Sequence, residues 1–292
     1  MDQIALENKQ YILLMIAIIT PIGLFSLWYE RGLAYLRKQG MVRKNYEGLF
    51  IPTAGGILLF VNVTVTWMIE LWLIHVFALY QGYIQDMSLF LVGSFAVLIF
   101  GWQDDTSHDH KNKGLRGHLS TLWREQRMTS GLLKAFGILG TALIISIPLS
   151  QGIVETVVHL LLLTLSSNLI NLFDVRPARA IKVFWLLFGI VFASSPIFYS
   201  TIAWIFLLPV FSGTLWFFFR DAQGSIMLGD TGANYLGFLL GIEMMIAFAL
   251  PVKLAIVCLL LLIHGLAEQK SFSKVIQSRG WLNWLDSLGR KS

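Results

Sequence analysis

Long apolar runs alternate along this chain with short polar or basic stretches, and the runs have the length of a bilayer rather than of a soluble core element. Taking about 20 apolar residues as one crossing, nine segments qualify: 11–27, 51–79, 87–102, 132–148, 152–173, 181–198, 201–219, 226–250 and 253–265. In lipid every backbone amide must find its partner within its own segment, so each run is predicted to be a helix. Ser150, Gln151 and Gly152 read as the tight turn between the fourth and fifth runs. After residue 265 the pattern changes. Val275, Trp281, Trp284, Leu285 and Leu288 oppose Lys274, Arg279 and Arg290, so 270–291 reads as one amphipathic helix suited to the headgroup layer. The expected architecture is all-α, with residues 1–265 as one polytopic membrane domain and 266–292 as a cytoplasmic tail.

Composition agrees with the pattern. Of 292 residues, 56% are hydrophobic and only 13% charged, and mean hydropathy is +0.68, well outside the range of soluble domains. The first run follows Asp2, Glu7 and Lys9 and precedes basic residues, without a small-residue cleavage site, so it is not read as a signal peptide. An excess of 22 Lys and Arg over 17 Asp and Glu invites a nucleic-acid reading. Their placement removes the need for one: with nine spans, every basic residue except Lys9 and Lys253 falls on the same side. The positive-inside bias makes that side cytoplasmic, with the N-terminus outside and the C-terminus inside. Cys258, alone in an apolar run, has no intramolecular disulfide partner and reads as helix packing.

On this topology the informative acids share one depth. Asp104 and Asp105 end the third run, Asp174 ends the fifth, and Asp230 opens the eighth. One aspartate at a span end is cheaply solvated, and Asp230 is also well placed to cap its own helix. Four from three separated segments ask for a cation. A hard divalent ion such as Mg²⁺, with Mn²⁺ as its substitute, binds a few carboxylates together with phosphate oxygens, which points to phosphoryl chemistry at the membrane surface. A Walker-type loop and a Cys/His ligand cluster are missing, as is the Asp-Gly-x-x-Ala-Arg run of the other large class of membrane phosphotransferases. His108, His110 and His118 lie near the aspartates without a ligand spacing and read as loop residues. Glu70 and Glu243, in or near spans, are weaker candidates for an ion path.

Four blocks carry a resemblance: Ile51-Pro52-Thr53-Ala54-Gly55-Gly56-Ile57, Asp104-Asp105, Asn168-x-x-Asn171-x-x-Asp174, and Leu228-Gly229-Asp230-Thr231-Gly232. In this order they resemble the polyprenyl-phosphate N-acetylhexosamine-1-phosphate transferases, over residues 35–265. The resemblance implies transfer of a sugar-1-phosphate from a UDP-N-acetylhexosamine to undecaprenyl phosphate, with release of UMP, at the cytoplasmic face of a bacterial plasma membrane. It implies that Asp230 is a direct Mg²⁺ ligand, with Asp104 and Asp105 beside the metal and one of them deprotonating or positioning the lipid phosphate. Asp174, Asn171 and Asn168 belong to the block that holds the metal and diphosphate region. Lys134 occupies the place of a family lysine that neutralises phosphate charge, or serves as a positive-inside anchor. A homodimer is implied by the resemblance alone.

Two departures bear on substrate. Where the family continues from the Asp174 position as Asp-Gly-x-Asp-Gly, this chain reads Asp174-Val175-Arg176-Pro177-Ala178-Arg179. Arg176 and Arg179 there either grip phosphates bidentately or mark the cytoplasmic side. The long histidine-bearing cytoplasmic segment before the last span is also missing. The alternative from another class is therefore a catalytically altered member that binds polyprenyl phosphate and regulates or scaffolds an envelope pathway.

Overall fold

The computed structural model describes residues 3–45, 47–107, 121–123, 126 and 128–290. His108, His110 and His118 lie outside the described residues. In chain order come α1 (Gln3–Lys38), β1 (Val42–Lys44), β2 (Phe50–Pro52), α2 (Gly56–Phe77), α3 (Ile84–Thr106), α4 (Ser130–Ser146), α5 (Ile153–Phe173), α6 (Arg179–Ser194), α7 (Thr201–Ala222), α8 (Gly229–Ala247), α9 (Leu250–Gln269), α10 (Phe272–Ser278) and α11 (Gly280–Ser287). The two short strands form an antiparallel hairpin with Val42 opposite Pro52.

Among the described residues seven helices are long and apolar enough to cross a membrane: α1, α2, α3, α4 with its 3-10 extension to Leu149, α5, α7 and α9. The protein is thus an all-α, multi-pass membrane protein. Two of the nine expected segments fall outside that number. Helix α6 has sixteen residues, and α8 carries Asp230, Asn234, Glu243 and four glycines among its nineteen. Large apolar side chains such as Leu27, Val92, Ile144, Leu186 and Leu262 stay exposed on the outer helix faces, as a bilayer partner requires.

Helix α8 is the axis of the bundle. It packs against α2, α3, α5 and α6, and sixteen of its nineteen residues are buried. Lipid offers little hydrophobic drive for one helix to join another, so close backbone approach at small residues supplies the attraction. A Cβ on Gly56 would collide with the Gly232 backbone, and one on Gly101 would come within 2.7 Å of Thr231 Cα. On the opposite flank, a Cβ on Gly237 would strike the Ser166 carbonyl of α5. Beside this core α1 lies along α7: Phe25 stacks on Trp216 at 4.5 Å, and Arg220 sits 5.0 Å from the Tyr29 and Trp216 ring centres, a cation–π arrangement.

The tail departs from the single helix expected over 270–291. It breaks at Arg279, whose backbone is extended, before Gly280, a poor helix former. The two short helices fold back on the α5–α6 junction. Phe272 stacks on Phe173 at 5.4 Å, and Lys182 donates to the carbonyls of Leu285 and Leu288 at 2.9 and 3.1 Å, satisfying the end of α11. Val275, Trp281, Trp284, Leu285 and Leu288 remain exposed.

Because Gly56 and Gly232 meet with no room for a methyl group, Gly56→Ala is expected to lower the stability of the detergent-solubilised protein by about 1–3 kcal/mol. Gly140, whose Cβ would meet nothing within 4 Å, is the control: Gly140→Ala leaves the thermal midpoint unchanged or raises it.

Candidate functional site

Three elements converge at the end of the bundle where α3 stops, α4 starts and α8 starts. The chain enters it through the Pro52–Gly56 segment, which lies against 227–228: Met227 N–H donates to Pro52 O at 2.8 Å, and Gly55 and Gly56 N–H donate to Met227 O and Leu228 O at 2.9 Å. Two of the four sequence blocks are therefore hydrogen-bonded to each other. Gly229, at φ +74°, has no room for a side chain: a Cβ would stand 2.6 Å from Asp105 Oδ2 and 2.8 Å from Ala54 N.

Asp105 is buried, and both of its oxygens are engaged. Oδ2 accepts from Thr231 N at 2.9 Å and Thr231 Oγ1 at 2.6 Å, and Oδ1 accepts from Asp230 N at 3.2 Å. It caps the amino end of α8 from a neighbouring helix, the service that sequence position suggested for Asp230. Arg43, on β1, donates to the Asp105 carbonyl at 2.6 Å, so the hairpin delivers a guanidinium to this cluster that sequence reasoning missed. The signal was its nearness to the Pro52 block.

Asp104 turns away from its neighbour, toward α4. Ser107 Oγ donates to the Asp104 carbonyl at 2.8 Å and lies 2.8 Å from Ser130 Oγ, with which it shares a hydrogen bond, closing α3 onto the start of α4, whose own first turn is capped by Thr129. Lys134 then places its ammonium 2.6 Å from Asp104 Oδ2 and 2.7 Å from Asp230 Oδ2. Two carboxylate oxygens from separate helices converge on one cation, with 12% of the Lys134 side chain accessible. Such desolvated charge-assisted contacts are stronger than surface ion pairs.

Asp174 stands at the end of α5, its N–H bonded to Asn171 O at 3.1 Å. Burial first, then the negative charges of Asp221, Asp230 and Asp105, push its carboxyl well above the usual carboxylate range. All four expected aspartates thus belong to one cluster, and Asp221, at the end of α7, is a fifth that sequence reasoning passed over. Asn168 and Asn171 are half-buried on the last two turns of α5, and Arg176 is half-buried in the turn that follows. Arg179 is not brought to the aspartates. Its Nε and Nη2 donate to the two oxygens of Asp286 at 2.7 and 2.6 Å, and its Nη1 donates to Ser273 Oγ at 2.7 Å.

Among the described residues no three His, Cys, Asp or Glu side chains are arranged to enclose a metal. The donors that do converge, one oxygen each from Asp104 and Asp230, are the hard type and small number that suit Mg²⁺ when phosphate and water oxygens complete the shell. No protein-family model matches this chain, and no curated protein matches it in sequence.

Removing the Asp105 carboxylate leaves three donors at the α8 terminus without it, so Asp105→Ala is expected to cost about 2–4 kcal/mol in thermal or denaturant unfolding. Asp104→Ala, which leaves that cap intact, is expected to cost less; equal losses would contradict the division of labour.

The tail contact carries a pH signature. Burial opposes ionisation of Asp286, but hydrogen bonds from Arg179 and Arg290 outweigh it and hold the carboxyl down at about 2. A depressed folded-state pKa means the contribution is complete above the ordinary value of 3.8 and is lost as pH falls toward 2. Asp286→Asn mimics that loss at neutral pH. It is expected to raise hydrogen exchange across Ser273–Gly289 several-fold, and exchange equal to that of the unaltered protein would refute the docking role.

Proposed function

We propose that this protein is a Mg²⁺-dependent phosphoglycosyl transferase that moves a sugar-1-phosphate from a UDP-N-acetylhexosamine to undecaprenyl phosphate. In this reading α6 and α8 complete nine crossings, the N-terminus lies outside, and the aspartate cluster faces the cytoplasm of a bacterial cell. The observation that carries the reading is the convergence of Asp104 and Asp230 on one cation position, between basic groups, at a single end of a membrane bundle.

In the proposed reaction an oxygen of the lipid phosphate attacks the β-phosphorus of the nucleotide sugar. A new P–O–P linkage forms, the bond from the β-phosphorus to the bridging oxygen breaks, and UMP leaves with that oxygen. Asp104 and Asp230 would hold Mg²⁺, or Mn²⁺ in its place, and the ion would neutralise charge on the diphosphate. Asp104 is also the carboxylate assigned to take a proton from, or to position, the lipid phosphate. Asp105 fixes the start of α8 and so the position of Asp230. Lys134 supplies an ammonium for phosphate oxygens, and Arg43, bonded to the Asp105 carbonyl, is a second cationic group of the cluster. Asp174, raised in pKa, with Asn168 and Asn171, lines the diphosphate side, and Arg176 of the following turn is the arginine assigned to nucleotide phosphates.

One observation favours the regulatory alternative. Lys134 already satisfies both converging carboxylates, and Arg179 is spent on the tail. A member without catalysis would keep such a self-neutralised site and bind only the lipid phosphate.

UMP release separates the two. Purified protein in detergent with undecaprenyl phosphate, Mg²⁺ and a panel of UDP-N-acetylhexosamines is expected to release UMP. Asp104→Asn and Asp230→Asn are each expected to reduce the rate by about 100-fold or more. Silence across the panel, from protein that still binds the lipid phosphate, would establish the regulatory reading instead.

A further inference from the structure

At the end of the bundle away from the aspartates lies a second polar constellation, built around a cavity of about 300 Å³. Its walls come from α2, α3, α5, α6, α7, α8 and α9. They include Trp67, Phe90, Phe188 and Phe206, with Glu243, His159, Lys253 and Asp86 as the ionisable members. Glu243 is thirteen residues beyond Asp230 on α8, about 20 Å along a helix axis. The two sites do not share a ligand.

Most of the polar groups are satisfied among themselves. Lys253 Nζ lies 2.7 Å from His159 Nε2 and 3.2 Å from Glu155 Oε1. With Lys253 donating, Nε2 is the acceptor and Nδ1 carries the proton, directed at Ser150 Oγ 2.8 Å away; that hydroxyl donates to Ser146 O at 2.7 Å. The relay makes His159 neutral and pairs the Lys253 charge with Glu155. Glu243 is left out. It is 4% exposed, and its Oε1 has no hydrogen-bond partner among the described residues. Asp86, exposed, adds a second acid to the cavity lining.

A buried carboxyl without a partner is costly, and its surroundings select what relieves it. Bare or hydrated metal ions need several oxygen ligands, and no three acid, histidine or cysteine side chains are grouped to supply them among the described residues. An organic ammonium needs one or two acceptors and gains from aromatic faces nearby, and its apolar body matches the rest of the lining. We propose that this cavity is a binding site for an amphiphilic amine, its ammonium on the Glu243 carboxylate and its apolar body against Phe90, Phe188 and Phe206. The ammonium comes from an aminolipid headgroup or from a free alkylamine.

The test uses the full-length protein in a non-ionic detergent, with dodecylamine as probe and dodecanol as its uncharged match. Saturable one-to-one binding of dodecylamine, followed by native mass spectrometry and by quenching of tryptophan emission with a brominated analogue, is expected to be at least about tenfold tighter than that of dodecanol. Glu243→Gln is expected to erase that preference, the loss of one charge-assisted hydrogen bond. Ala203→Trp, which fills the cavity from α7, is expected to abolish binding of both. A thermal melt of each variant establishes that it is folded. Competition by phosphatidylethanolamine, and not by phosphatidylglycerol, would assign the ammonium to a lipid; its failure to compete would assign it to a free amine. Equal binding of amine and alcohol, or an unchanged preference in Glu243→Gln, would overturn the proposal.

Discussion

A helix buried on every side has amino-terminal amides that water does not reach, and they must be met by something else in the protein. Here Asp105 meets them. Its two oxygens hold Asp230 N, Thr231 N and Thr231 Oγ1, and this single side chain sets the register between α3 and α8. Successive residues on a helix are turned by about 100°, so while Asp105 takes the backbone at the start of α8, its neighbour Asp104 points to the seam of α4 and α8, where Lys134 meets both it and Asp230. The adjacent pair of acids therefore does two different jobs. Glycines make the arrangement possible, because at Gly56, Gly101 and Gly229 backbone or carboxylate comes too close to leave room for a Cβ.

The membrane character and the stretches that become helices were legible because apolar runs of bilayer length announce themselves without tertiary information. The aspartates that gather in one cluster were legible for a related reason: charged residues are so sparse here that those at span ends stand out. What sequence could not assign was which acid serves which helix. Asp230 looked like the cap of α8 because it is adjacent in the chain, whereas the capping carboxylate comes from 125 residues earlier. The same limit applies to Arg179, which reads as a phosphate ligand beside Asp174 and is instead held by Asp286, 107 residues away. Asp221 left a faint signal, an acid directly after Arg220 at the end of an apolar run.

The turn from Asp174 to Arg179 is held from three directions. Asp221 Oδ2 accepts from Ala178 N at 2.8 Å, Arg290 Nε donates to Pro177 O at 2.9 Å, and Arg179 is clamped to Asp286 and Ser273. Ala178 sits at φ +61°, a left-handed conformation that costs a non-glycine residue about 1–2 kcal/mol. The buried Asp221 carboxylate, by taking the N–H of that same residue, offsets the cost. The 174–179 turn is thus braced on several sides. The brace is the C-terminal tail.

That bracing ties the tail to the aspartate cluster. Asp221 holds Ala178 and lies close enough to Asp174 to raise its pKa, so a shift of the 174–179 turn displaces a carboxylate of the cluster as well. On the other face of the turn, Trp281, Trp284 and Leu285 project away from the protein while Asp286 points inward. The tail's buried Asp286 grips the turn beside Asp174 through Arg179, so the position of that turn depends on the tail's being docked.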